Sequence, residues 1–264
     1  MTHNPRAPHF QGSLLTLPTQ LEEAVARTLE VFQGEMPVVL LELPAVYALI
    51  APGSSNGVRA LDAAKLRRPE KTYGSIIGDP SAFLTLAERG ALPPDWERNP
   101  GEIERCEGAF IRTRVHASAS IPPALLRDGT HQGLLLPCGA IRTFIQRLEK
   151  GLGNLSGPER GVSILATSAN LSGDPEGSIT DEKKALAFAH ARRLTTWIRL
   201  NPTDSSRASS EAEKGSYPIL EFHGRTVWVR RTGPGLKRIL ENLRHISNFQ
   251  ESHSLTPESP EVSK

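Results

Sequence analysis

The sequence predicts an α/β protein built on a twisted mixed sheet flanked by helices. Two observations carry that expectation. Short apolar runs rich in β-branched residues, such as Pro37 to Glu42 and Val162 to Ala166, alternate with stretches of helical periodicity. That alternation favours parallel strand neighbours. Near the end, His223-Gly224 separates two apolar runs and signals a hairpin, which adds antiparallel pairing.

The elements follow in order. Thr19-Gln20-Leu21-Glu22 reads as a capping box, and Leu21, Val25, Leu29 and Phe32 continue it at helical spacing. Strands are expected over Pro37 to Glu42 and Ala45 to Ala51. Asn56 is placed to cap a helix running to about Arg68. Tyr73 to Ile77 reads as a strand, Ser81 to Arg89 as a helix and Ala109 to Val115 as a half-buried strand. Gly133 to Leu136 is a short strand before a helix around Arg142 to Lys150. Val162 to Ala166 is a buried strand, Thr180 or Asp181 opens a helix ending at Arg193, and Thr195 to Leu200 is a strand. The hairpin strands are Pro218 to Phe222 and Arg225 to Arg230, and Pro234 opens a last helix to about His245. Polar, aperiodic composition marks a flexible segment over 1–18, a loop from Asn201 to Gly215 and a disordered tail over 247–264. One domain is expected over 19–246.

Composition narrows the function classes. The chain has 264 residues, of which 38% are hydrophobic, so it can bury a sizeable core. With 31 basic and 29 acidic residues, the net charge of +2 neither demands nor forbids a nucleic acid. Two cysteines, Cys106 and Cys138, make no disulfide framework and read as reduced thiols. No apolar run approaches the ~18 residues of a membrane span, and Met1 to Ser13 lacks the apolar core of a signal peptide. A cytoplasmic protein without a membrane partner is the expectation.

Two segments carry chemistry. In Ala166-Thr167-Ser168-Ala169-Asn170-Leu171-Ser172-Gly173 a buried strand runs into small polar residues closed by a glycine. Hydroxyls, an amide and free backbone N–H groups at a strand end can cradle a phosphate or carboxylate. An ordinary Ser/Asn turn uses the same residues. The second segment is Lys65-Leu66-Arg67-Arg68-Pro69, at an expected helix C-terminus. Cations there can simply complement the macrodipole, or Lys65 and Arg67 can clamp phosphates, one as a point charge and the other as a fork. Arg112, Arg114, Arg225, Arg230 and Arg231 sit on expected strands and would form a basic patch if they shared a face. His116 and His223 have no carboxylate or nucleophile placed beside them by sequence, and no histidines stand at metal-ligand spacing.

Taken together, KxRP after the first helices, TSAN-x-SG after a buried strand, and Arg231-Thr232-Gly233 after the hairpin resemble the YrdC-like family, over about Glu22 to Leu243. Its best known members are threonylcarbamoyl-adenylate synthases of tRNA modification. The resemblance implies a concave basic face that binds ATP, with Mg²⁺ arriving on the nucleotide, together with bicarbonate and L-threonine. It also implies binding of double-stranded RNA or tRNA. Lys65, Arg67, Ser168, Asn170 and Arg231 match the family's binding cluster, with Lys65 and Arg67 in the catalytic role of neutralising phosphate charge.

Departures qualify that expectation. The family's PT[DE]TVYGL stretch is Glu42 to Leu49 here, with Leu43 and Ala45 at the threonine positions and Ala48 at the glycine. Its RxP arginine is Leu135, and the proline that usually follows the KxRP segment is missing from Lys71-Thr72-Tyr73-Gly74. Each lost hydrogen bond to a charged group is worth about 1.5–3 kcal/mol. The alternative is therefore a catalytically degenerate YrdC-like protein that keeps a basic hollow for RNA.

Overall fold

The computed structural model describes residues 10–67, 71–119, 121–156, 162, 164–203, 213–244 and 250–252. Its strands are β1 (Ser13–Leu17), β2 (Val39–Glu42), β3 (Tyr47–Pro52), β4 (Gly74–Ile77), β5 (Ala109–Arg114), β6 (Thr130–Leu135), β7 (Ile164–Ser168), β8 (Thr196–Leu200), β9 (Ile219–His223), β10 (Thr226–Arg231) and β11 (Gln250–Ser252). Its helices are α1 (Leu21–Phe32), α2 (Ser55–Lys65), α3 (Pro80–Leu84), α4 (Pro94–Arg98), α5 (Ala140–Ser156), α6 (Glu182–Ala191) and α7 (Leu236–Leu243).

All the described strands join one sheet in the order β1-β8-β2-β3-β7-β4-β6-β5-β9-β10-β11. The sheet is mixed. The pairs β1/β8, β2/β8, β4/β6, β5/β9 and β10/β11 are parallel. The pairs β2/β3, β3/β7, β4/β7, β5/β6 and β9/β10 are antiparallel. Three apolar clusters lock it. One packs α1 and α5 on one face through Phe32, Ile141, Phe144 and Leu148. A second packs α2 and α6 through Leu61, Ala64, Ala185 and Trp197. A third gathers Phe83, Trp96, Phe222 and Ile239 beneath β5, β9 and β10.

Several elements depart from the sequence reading, each for a local reason. Within the expected flexible segment 1–18, residues 13–17 form β1, because Leu15 and Leu17 bury themselves while the backbone pairs with β8. Residues 1–9 lie outside the described residues. Thr19 makes no capping box: Gln20 precedes α1, and its Oε1 accepts from Thr16 N at 3.0 Å. Ser54, and not Asn56, caps α2, its hydroxyl accepting from Gly57 N at 3.2 Å.

The helix expected to reach Arg89 stops at Leu84. Leu86 and Glu88 turn instead to β5, where His116 N donates to Leu86 O and Glu88 N donates to Arg114 O, both at 3.0 Å. Strand β6 begins at Thr130, earlier than expected, because Asp128 and Gly129 adopt φ values of 51° and 74° and fold Arg127 back onto Thr130. In the tail expected to be disordered, Gln250–Ser252 pairs with β10. The rest of that tail, like Arg68, Pro69 and 204–212 of the expected loop, lies outside the described residues.

Candidate functional site

A cavity of about 1020 Å³ opens on the face of the sheet above β7, β4, β6 and β5. Lys65, Arg67, Ser168, Asn170 and Arg231 all line it, although Lys65 and Asn170 are 105 residues apart in sequence. Lys71, Arg112 and Arg127 line it as well, so among the described residues six cationic side chains face it and no Asp or Glu does. The floor is largely apolar, with Leu43, Val46, Ala48, Phe110, Leu134 and Ala166.

Helix α2 delivers the first cations. Lys65 is its last residue, and Leu66 ends it in the left-handed conformation at φ 49°. That reversal turns Lys65 inward, where it is 2% exposed. Its Nζ donates to Ser168 O, to Asn170 O at 2.7 Å and to Asn170 Oδ1 at 3.1 Å. An ammonium has three protons, so the loop after β7 takes all three. Ser172 N returns a bond to Lys65 O at 3.0 Å, and Ser168 Oγ donates to Asn170 Oδ1 at 2.5 Å. The small polar residues of this loop thus close around Lys65. Burial, with the charges of Arg67 and Lys71, pushes the Lys65 ammonium down to about 7. Its charge is therefore poised near neutrality and rises toward any anion brought beside it.

Arg67 braces the next turn. Its guanidinium donates to Thr72 O and, through Nε, to Lys71 O at 3.3 Å, and it lies 4.1 Å over the Tyr73 ring. Arg231, at the end of β10, donates twice to Tyr217 O, at 3.0 and 2.7 Å, and stacks 5.7 Å from the centre of Phe110. The Tyr217 hydroxyl in turn accepts from Ala45 N at 3.3 Å, tying this wall to the β2–β3 connection.

Not every basic strand residue shares that face. Arg112 lines the cavity, but Arg225 turns to Asp95 at 3.0 Å and Arg230 to Glu221 at 2.9 Å. Arg114 is exposed and does not line the cavity. His223 pairs with Glu221 at 2.8 Å, and neither it nor His116 borders the cavity. Arg127, Gln132 and Ser216 line it without having been singled out in the sequence, since a lone polar residue in a turn or on a strand carries no spacing signal. Leu43 forms floor where the family resemblance implies a threonine and Ala48 where it implies a glycine, and Leu135 points into the third apolar cluster, away from the cavity.

Away from the cavity, the ligand atoms of Glu104, Glu107 and Cys138 lie within 4.8 Å of one another, a spacing that suits a metal ion. The Arg142 guanidinium already sits among them, 2.6 Å from Glu104 and 2.9 Å from Glu107, and supplies the positive charge. No helix among the described residues is long and apolar enough to cross a membrane.

No family model matches the sequence, and no curated protein does. Solved structures do match. A variant of Sua5 from P. abyssi superposes with a TM-score of 0.65 at 15% identity, covering 91% of this chain and 65% of that one. P. abyssi Sua5 complexed with L-threonine gives 0.63 at 16% identity, covering 90% and 62%. The chain thus spans less than two thirds of the length of these Sua5 chains. The hypothetical protein smu.1377c from Streptococcus mutans gives 0.59 at 16% identity, covering 92% of this chain and 97% of that one. At such identities the likeness speaks to architecture, and the architecture of this chain is the Sua5/YrdC fold.

Proposed function

We propose that the chain is a divergent YrdC-like protein that binds the polyphosphate of a nucleotide, ATP in the first instance, in the cavity above β7 and β4. The single observation that supports this most is the convergence, among the described residues, of six cations and no carboxylate on one cavity of about 1020 Å³. Opposed cations and an apolar floor suit a ligand with a charged tail and a flat, largely non-ionic body. Arg67 and Lys71 contribute charge from the α2–β4 connection, Ser168 and Asn170 orient the phosphates, and Arg231 closes the wall. Lys65 acts through the loop it holds, and its charge faces the phosphates as they gather. No carboxylate among the described residues lines the cavity, so a Mg²⁺ ion accompanying the nucleotide would be held largely by phosphates and water.

The chemistry assigned to this site is the carboxylation and adenylation of an amino acid from ATP and bicarbonate, with release of pyrophosphate. L-threonine is the amino acid to test first, since the similar Sua5 structure contains it. The product would serve tRNA modification. Titration calorimetry with ATP tests the binding. Pyrophosphate release with bicarbonate and L-threonine, in wild type and Lys65→Ala, tests the reaction, and loss of release in the variant is the expected result.

A second reading is favoured by the apolar floor. Leu43 and Ala45 are 4% and 6% exposed, packed at the two positions where threonine hydroxyls are expected to line a substrate pocket. In that reading the cavity binds phosphate without turnover, and the surface around it serves double-stranded RNA or tRNA through backbone contacts. Salt-sensitive RNA binding without pyrophosphate release decides for it.

A further inference from the structure

Beyond Lys65, around which the loop after β7 closes, the cavity has a second donor group on β5 and β6. One row of residues crosses the sheet on the cavity face: Ala166 pairs with Gly74, Gly74 lies beside Gln132, Gln132 pairs with Arg112, and Arg112 pairs with Glu221. From β7 to β5 this row spans three strand spacings, about 14 Å. Ser168 and Asn170 stand at one end, Arg112 and Arg127 at the other.

The far end is built rather than incidental. Arg112 is clasped from both sides. Its Nε and Nη2 donate to Gln132 Oε1 at 3.3 and 2.7 Å, and Glu221 lies 3.5 Å away across the strand pair. Glu221 also holds Arg230 and His223, so the carboxylate is fixed before it meets Arg112. The Arg112 side chain is 12% exposed. Since Arg112 fixes Gln132 Oε1 as the acceptor, Gln132 Nε2 is a donor. No described residue accepts from it, and it lies 3.3 Å from where a Cβ on Gly74 would stand. That Cβ would also meet Phe110 at 2.6 Å. Glycine at 74 therefore leaves room for the Phe110 ring and the Gln132 amide to close over β4. Arg127 adds a second guanidinium, close enough that its charge, after burial, helps to lower the Arg112 pKa.

We propose that Arg112, Arg127 and Gln132 form a second phosphate subsite, so that the cavity takes a nucleotide bearing phosphate at both ends, one group at the Ser168–Asn170 loop and the other beside Arg112 and Gln132 on β5 and β6. Arg112 keeps N–H groups beyond those given to Gln132 and Glu221, and with Gln132 Nε2 they match the outer oxygens of a phosphate monoester. Glu221 is a positioning residue: it orients Arg112 and touches no ligand.

This rests on the nucleotide reading above, and the test separates the two. ATP and its 3′-phosphorylated form, adenosine 3′-phosphate 5′-triphosphate, are titrated into the full chain by calorimetry at fixed ionic strength. The expected result is at least tenfold tighter binding of the 3′-phosphorylated nucleotide in wild type. Arg127→Gln and Gln132→Glu should each reduce that ratio below threefold, the loss falling more on the 3′-phosphorylated nucleotide than on ATP, with circular dichroism melting showing both variants folded. Glu221→Gln should lower the ratio less, with its effect growing as salt rises. If ATP binds but the two nucleotides bind alike in wild type, the second subsite is wrong and the nucleotide reading stands. A ratio unchanged in both variants is equally fatal to it. If neither nucleotide binds, both readings fall together.

Discussion

Lys65 satisfies three oxygens with three protons in a place where it is 2% exposed, so removing it strands acceptors rather than merely opening space. Lys65→Met should therefore cost on the order of 1–3 kcal/mol of stability, read as a fall in the urea midpoint, besides weakening ATP. Lys65→Arg should not rescue it, because a planar fork cannot meet three convergent oxygens. The pH dependence has a definite sign. With the ammonium at about 7 when folded against 10.5 when free, the unfolded chain holds more protons between those values. Stability from this group accordingly rises with pH across that window, and Lys65→Met should flatten the rise. Glu149 runs the other way. Its carboxylate accepts from Gly78 N and Asp79 N, both at 2.9 Å, yet burial lifts it from 4.5 to about 7. The folded state then holds the extra proton, so this contribution falls as pH climbs from 4.5 to about 7. Melting temperatures of wild type and Glu149→Gln at pH 5 and pH 7.5 would show it, the variant losing the difference.

Helix α2 owes its seat to Gly57, where a Cβ would stand 2.0 Å from Pro52 O. Gly57→Ala must push α2 off β3, and with it the Lys65 end of the cavity. A loss of at least ~1–3 kcal/mol and weaker nucleotide binding are expected together, measured by urea unfolding and calorimetry. At this scale the sequence was most legible. The apolar run feeding Ser168 and the cations closing α2 are local patterns, and each announced its half of the hollow. What stayed hidden is register. Nothing in Arg112 or Gln132 alone says that they pair across β5 and β6, and Arg127 reaches the cavity only because Asp128 and Gly129 reverse the chain. Strand β1 was missed for a related reason: Leu15 and Leu17 look unremarkable until β8, almost two hundred residues on, gives them a partner.

Across the molecule, long-range ties decide the shape of the hollow. Tyr217 joins Ala45 N, 172 residues away, to the wall held by Arg231. Tyr217→Phe keeps the ring but leaves a buried N–H unpaired. A loss of about 1–3 kcal/mol is expected, with thermal unfolding as the readout. The mixed order of the sheet was foreseeable in kind from its alternating elements and late hairpin, but not in sequence of strands. That order places β1 at one margin, where its backbone covers the outer side of β8. Trimming the chain up to Pro18 would uncover an unpaired row of amides and carbonyls along Thr196–Leu200, an adhesive border for a second molecule, so the shortened form should self-associate in a sedimentation experiment where the whole chain does so less.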